Sequence, residues 1–149
     1  MVISCLAISV KKGTRKTPVG ELILEQQHGA LGDAHAGTWH RQVSLLAEES
    51  IERARARGLD VTFGDFAENI ATKGIELTQL KLGTRLTLGP EAVVEVTQIG
   101  KECIKKCAIY YQAGDCIMPR EGIFARVLKG GTIKVGDAIC VMPPEKASS

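Results

Sequence analysis

Apolar residues along this chain come in short runs and alternations, and most of them have the period of a strand. Val2 to Val10 is rich in Val and Ile and reads as a buried strand. Val19 to Gln26 alternates well enough for a second, and Arg41 to Ala47 is a third candidate. One segment has a different period. Ala47, Ile51 and Ala54 recur at i, i+4 and i+7, which predicts a helix over 48–57. Glu48, Glu49 and Glu52 lead it while Arg53, Arg55 and Arg57 trail, the order that suits the helix dipole. Gly58 is its natural cap.

Phe63-Gly64 and Glu68-Asn69 mark an irregular passage, and Glu76 to Leu80 reads as a short turn. Leu82 to Gly89 is a strand entered and left by glycine, and Ala92 to Gln98 alternates as another. Ile123-Phe124 and Val127-Leu128 form a pair of pairs at helical spacing, stopped by Gly130-Gly131. Residues 132–137 read as a turn into a last strand, Ala138 to Met142, with a loose tail from Pro143. Several short strands between glycine turns, with two short helices, predict a mainly β, barrel-like single domain over 1–149.

Composition narrows the setting. A chain of 149 residues fits one domain, and 44% apolar content supplies a core without disulfide staples. Five cysteines cannot all pair within one chain. A net charge of +2 is too mild to imply nucleic acid or a membrane surface. No apolar run reaches the roughly 18 residues of a membrane span. The first ten residues lack the basic head and small-residue cleavage site of a signal peptide, so a reducing cytoplasm is expected.

Two stretches carry candidate chemistry. In residues 97–116, Cys103, Cys107 and Cys116 sit among Lys101, Lys105 and Lys106. Nearby cations stabilise a thiolate, the form that binds soft metals and attacks electrophiles. In residues 28–40, His28, His35, His40, Asp33 and Trp39 lie among glycines that suit a long loop. Its polar groups suit a pocket for a polar ligand, direct ligation of a metal, or a loop of hydrogen-bonded histidines. Lys11 to Pro18 reads as a basic turn, either solvated or facing an anion. Cys5 and Cys140 lie inside apolar strands and read as inert buried packing.

The order of these pieces resembles the MOSC domain, the family named for the C-terminal domain of molybdenum cofactor sulfurase. Four places carry the likeness. The histidine-glycine loop runs into His40-Arg41-Gln42-Val43-Ser44-Leu45-Leu46. Phe63-Gly64-Asp65-Phe66-Ala67-Glu68-Asn69-Ile70 looks like a variant of the family's Phe-Gly-Glu-Asn passage. Thr97-Gln98-Ile99-Gly100 leads to Cys103 at the place of the signature cysteine. Residues 122–128 with 131–137 match its closing helix and turn. The family's Gln-x-Arg-x-Pro-Cys reads Gln98-Ile99-Gly100-Lys101-Glu102-Cys103 here, without the Arg and Pro.

The resemblance implies a closed or nearly closed mixed β-barrel and a molybdenum (or tungsten) pterin cofactor. Cys103 would be the catalytic thiol and metal ligand, with Cys107 and Cys116 as further candidates. His35, His40, Arg41, Asn69, Lys101, Lys105, Arg120 and Arg126 would contact the cofactor. The implied roles are cofactor handling, sulfur transfer or reduction of N-hydroxylated substrates. The implied partners are a cofactor-biosynthesis protein or molybdoenzyme and an electron donor, with no nucleic acid and no membrane. Pyridoxal phosphate is not expected in this chain. The cysteines themselves leave two other readings open. Cys103 can carry a persulfide with Cys107 as resolving thiol, and three cysteines with one histidine can hold a structural zinc.

Overall fold

Val43 to Ala47 are buried without a break, which marks a strand covered on both faces. The computed structural model describes residues 1–8, 16–33, 42–56, 58, 68–99 and 122–142. Along them run β1 (Val2–Ile8), β2 (Thr17–Val19), β3 (Glu21–Glu25), β4 (Gly29–Ala30), β5 (Val43–Ala47) and α1 (Glu48–Ala56). There follow β6 (Ile70–Lys73), a 3₁₀ turn (Leu77–Gln79), β7 (Arg85–Leu88) and β8 (Ala92–Ile99). β9 (Ile123–Lys129), β10 (Gly131–Lys134) and β11 (Ile139–Met142) complete the set. Eight strands form one sheet in the order β11-β7-β8-β9-β5-β6-β1-β2, and β10-β3-β4 form a second.

The main sheet is mixed. β5 pairs in parallel with β6 and antiparallel with β9. Parallel neighbours need a crossover, and α1 lies on that connection. Val43, Leu45 and Ala47 face the central core with Leu86, Leu88, Val94, Val96 and Val127. Ser44 and Leu46 point to the opposite face, where α1 packs on β5 and β6 and buries Ile51 and Ala54. Each fully buried Leu or Ile there contributes about 1.5–3 kcal/mol. The second sheet adds Leu22, Leu24 and Ile133 to the same core, while Glu21, Ile23 and Glu25 alternate outward.

Where β1 begins, it meets the turn before β11. Val2 and Ala138 form a bridge. Ile3 N donates to Asp137 O at 2.9 Å, Gly136 N to Ile3 O at 2.8 Å, and Ile139 N to Met1 O at 2.9 Å.

The helix holds as expected. α1 ends at Ala56, and Gly58, at φ +94°, donates its N–H to Arg55 O. The second expected helix is instead β9. Its pairs of apolar residues arise because a strand between β8 and β5 is buried on both faces, so inward and outward positions are both apolar. α1 is accordingly the one α-helix among the described residues. The expected turn over 132–137 begins as β10, paired with β3, and only Val135 and Gly136 turn. The basic stretch before Pro18 passes into β2, and the histidine loop opens with β4.

Candidate functional site

Six of the buried polar residues flank one end of the sheet. Lys16, Asp33, Gln42, Ser44, Glu68 and Asn69 are all buried. Each lies in or beside an element flank: Lys16 before β2, Asp33 after β4, Gln42 before β5, and Glu68 and Asn69 before β6. Register brings these flanks together. Ile8 pairs with Thr17, Leu6 with Ile70, and Leu45 with Ile70.

Asn69 ties three strands. Its Oδ1 accepts from Ser44 N at 3.0 Å and Ser44 Oγ at 3.2 Å, and its Nδ2 donates to Ala7 O at 3.2 Å. Its backbone N–H reaches Ser44 Oγ at 3.0 Å, and Ala7 N donates to Asn69 O at 2.8 Å. The side chain is fully buried. Ser44 shares its face with Leu46, so this network lies on the α1 side of the sheet.

Beside it, Lys16 Nζ lies 2.7 Å from Asp33 Oδ1, and both side chains are completely shielded from solvent. Gln42 Oε1 accepts from Val127 N at 2.8 Å. Gly29, at φ +120°, allows the chain to cross Gln42 closely, since a Cβ there would stand 2.4 Å from Gln42 O. Glu68 is buried near Cys5. Burial, and then the Glu68 carboxylate, push the Cys5 thiol up from its ordinary value.

Arg126 has a different setting, in a row of charge across three strands. Arg85 and Glu95 are cross-strand partners, as are Glu95 and Arg126. Glu95 Oε1 receives Arg126 Nε at 3.1 Å and Nη2 at 2.8 Å, and Glu95 Oε2 lies 3.7 Å from Arg85 Nε. The Arg126 side chain keeps 43% exposure.

Of the residues expected to contact the cofactor or its metal, Asn69 and Arg126 are described. Cys103, Cys107, Cys116, His35, His40, Arg41, Lys101, Lys105 and Arg120 lie outside the described residues. The described chain does fix where their segments attach. β8 ends at Ile99 and β9 starts at Ile123, and these two are cross-strand partners. Ile123 also pairs with Leu45, two rungs from the Val43–Ala125 pair beside Gln42. Two rungs span about 7 Å. Because β5 and β9 are antiparallel, the cysteine segment and the histidine loop enter this ladder from opposite ends. Among the described residues no three His, Cys, Asp or Glu side chains gather as a metal site.

Three expectations change. Cys140 is exposed and Cys5 only partly buried, because both lie on strand positions that face away from the central core. Lys16 is no solvated loop residue, since Asp33 neutralises it in the interior. Asp33, considered as a metal ligand, holds that ammonium. The sequence signal for this pair was slight: a lysine against Thr17-Pro18, and an aspartate after Gly32.

The family model of the MOSC domain matches residues 32–140. The chain belongs to the MOSC domain family. That match runs from the Asp33 flank through the cysteine segment to β11, and so spans most of the polar cluster. No curated protein matches the sequence. Solved structures resemble this MOSC chain in fold. The YuaD protein of Bacillus subtilis superposes with a TM-score of 0.77 at 22% identity, over 97% of this chain and 98% of that one. YiiM of Escherichia coli gives 0.68 at 20% identity, over 98% of this chain and 72% of that one. YiiM of Geobacillus stearothermophilus gives 0.66 at 20% identity, over 95% and 72%. No helix among the described residues is long and apolar enough to cross a membrane.

Proposed function

We propose that this MOSC chain binds a molybdenum (or tungsten) pterin cofactor through the thiolate of Cys103, for cofactor handling, sulfur transfer or reduction of N-hydroxylated substrates. Family membership across residues 32–140 carries the reading, because the match includes the signature-cysteine position. Thiolate is a soft donor suited to such a metal.

In this reading Lys101, Lys105 and Arg120 hold the phosphate of the cofactor, and His35, His40 and Arg41 meet the pterin edge. Arg126 adds a partly exposed guanidinium whose charge Glu95 already balances. Asn69 serves from within, fixing the flank on which the cofactor rests. Cys107 and Cys116 are candidates for further metal or sulfur ligation. We also propose that the main sheet closes into a barrel through the contact between β1 and the turn before β11. The proposed setting is cytoplasmic, with a cofactor-biosynthesis protein or molybdoenzyme as partner and a separate electron donor.

The test is metal and pterin content after anaerobic purification, wild type against Cys103→Ser. Cofactor in the wild type and its loss from the variant supports ligation. Equal content in both overturns it. A mass gain of one sulfur on Cys103, removed by reductant, in protein without pterin moves the function to a persulfide carrier. One equivalent of tightly held zinc moves it to a structural metal module.

A further inference from the structure

β2 and β4 are each the last strand of a sheet, β2 in the main sheet and β4 in the second. Both are short. β2 meets β1 at three positions, and Pro18 in its middle has no N–H to give. β4 meets β3 at two. Strands with so few ladder bonds belong to the parts of a protein that open first.

An ion pair joins these two edges. Lys16 directly precedes β2, and Asp33, whose N–H donates to Ala30 O at 3.1 Å, ends the turn after β4. Lys16 Nζ lies 2.7 Å from Asp33 Oδ1, with neither side chain open to solvent. The pair therefore fastens the edge of one sheet to the edge of the other. While it is closed, mutual attraction offsets a large desolvation cost. Once both ions are out, each recovers its hydration, whereas releasing one leaves the other charge buried and alone. Half-open arrangements are thus disfavoured, and the two flanks let go together.

We propose that Lys16 and Asp33 form a latch through which the flanks of β2 and β4 open as one unit, at a free energy below that of global unfolding. Opening uncovers the β1 edge from Leu6 to Ile8, against which β2 lies. The latch uses no residue of the cysteine segment and stands independently of cofactor binding.

Native-state amide exchange of the full chain, expressed as protection factors, tests it. Val19 reads β2. Leu31 N, which donates to Ile23 O at 2.9 Å, reads the β4 flank, and Val96 N, which donates to Thr84 O at 2.8 Å, reads the core. Val19 and Leu31 are expected to share one protection factor and one denaturant dependence, with protection at least about tenfold below that of Val96. Asp33→Asn alters only the β4 side, yet it is expected to lower protection at Val19 and Leu31 by the same factor, about a hundredfold. Lys16→Met/Asp33→Leu is expected to return both to within about tenfold of the wild type. A response to Asp33→Asn confined to Leu31, wild-type protection at Val19 equal to that at Val96, or a double variant as weakly protected as Asp33→Asn overturns the proposal.

Discussion

Lys16 and Asp33 form an ion pair at 2.7 Å with neither side chain open to solvent, and they join the flank of β2 to the flank of β4. Removing one partner strands the other charge in the interior, whereas replacing both with apolar groups removes the desolvation cost as well. Asp33→Asn is therefore expected to cost about 3–5 kcal/mol in urea unfolding. The double variant Lys16→Met/Asp33→Leu is expected to cost clearly less. Equal losses in the two proteins would mean that pairing is not what the buried lysine requires.

Asn69→Ala should be a large-effect substitution at a position with no exposed atoms. It removes the Asn69 side-chain bonds to Ser44 and Ala7, a loss of about 2–4 kcal/mol. Ser44→Ala removes part of the same network, so the two changes should not add. A double-mutant cycle with additive costs would show that the bonds act separately.

Cys5 and Cys140 should differ in reactivity. Burial first, then Glu68, hold the Cys5 proton, so alkylation at neutral pH is expected to be slower at Cys5 than at exposed Cys140. Mass mapping of a timed alkylation reads both sites, and Glu68→Gln should speed Cys5. The linked stability has a definite sign. The folded thiol keeps its proton to higher pH than the unfolded one. Its contribution is thus complete below the unfolded thiol value and is lost as pH rises through the folded value. Cys5→Ser should flatten the fall in stability at alkaline pH, and an unchanged slope would remove Cys5 as its source.

Gly29→Ala should destabilise although it adds only a methyl group. The new Cβ meets Gln42 O at 2.4 Å, and a φ of +120° strains any L side chain. A cost of about 1–3 kcal/mol is expected. Thermal unfolding compares it with Gly32→Ala, which also has positive φ but nothing within 4 Å. If the two lose the same stability, backbone conformation alone accounts for the effect.

Where period and burial agree, the chain declares its fold openly. β8 alternates, α1 has one apolar face and a glycine stop, and β7 lies between glycines of positive φ at 83 and 89. β9 hides because two-sided burial erases alternation, and Ile123-Phe124 with Val127-Leu128 then mimics a helix. β2, β4 and β6 are too short to carry a period of their own and exist through pairing. Site chemistry follows the same divide. Lysine near cysteine can be read from neighbours in sequence, but Lys16 meets Asp33 only because β-pairing brings two flanks together.

The rung between Ile99 and Ile123 makes the intervening stretch a cassette. Its two ends are held side by side by the β8–β9 ladder, so the entropy of closing that loop is offset by pairing that exists without it. The β8–β9 pairs, from Val93–Lys129 to Ile99–Ile123, all lie on either side of that stretch. Under the proposed function, exchanging that stretch between relatives of this fold is a direct way to move sulfur chemistry.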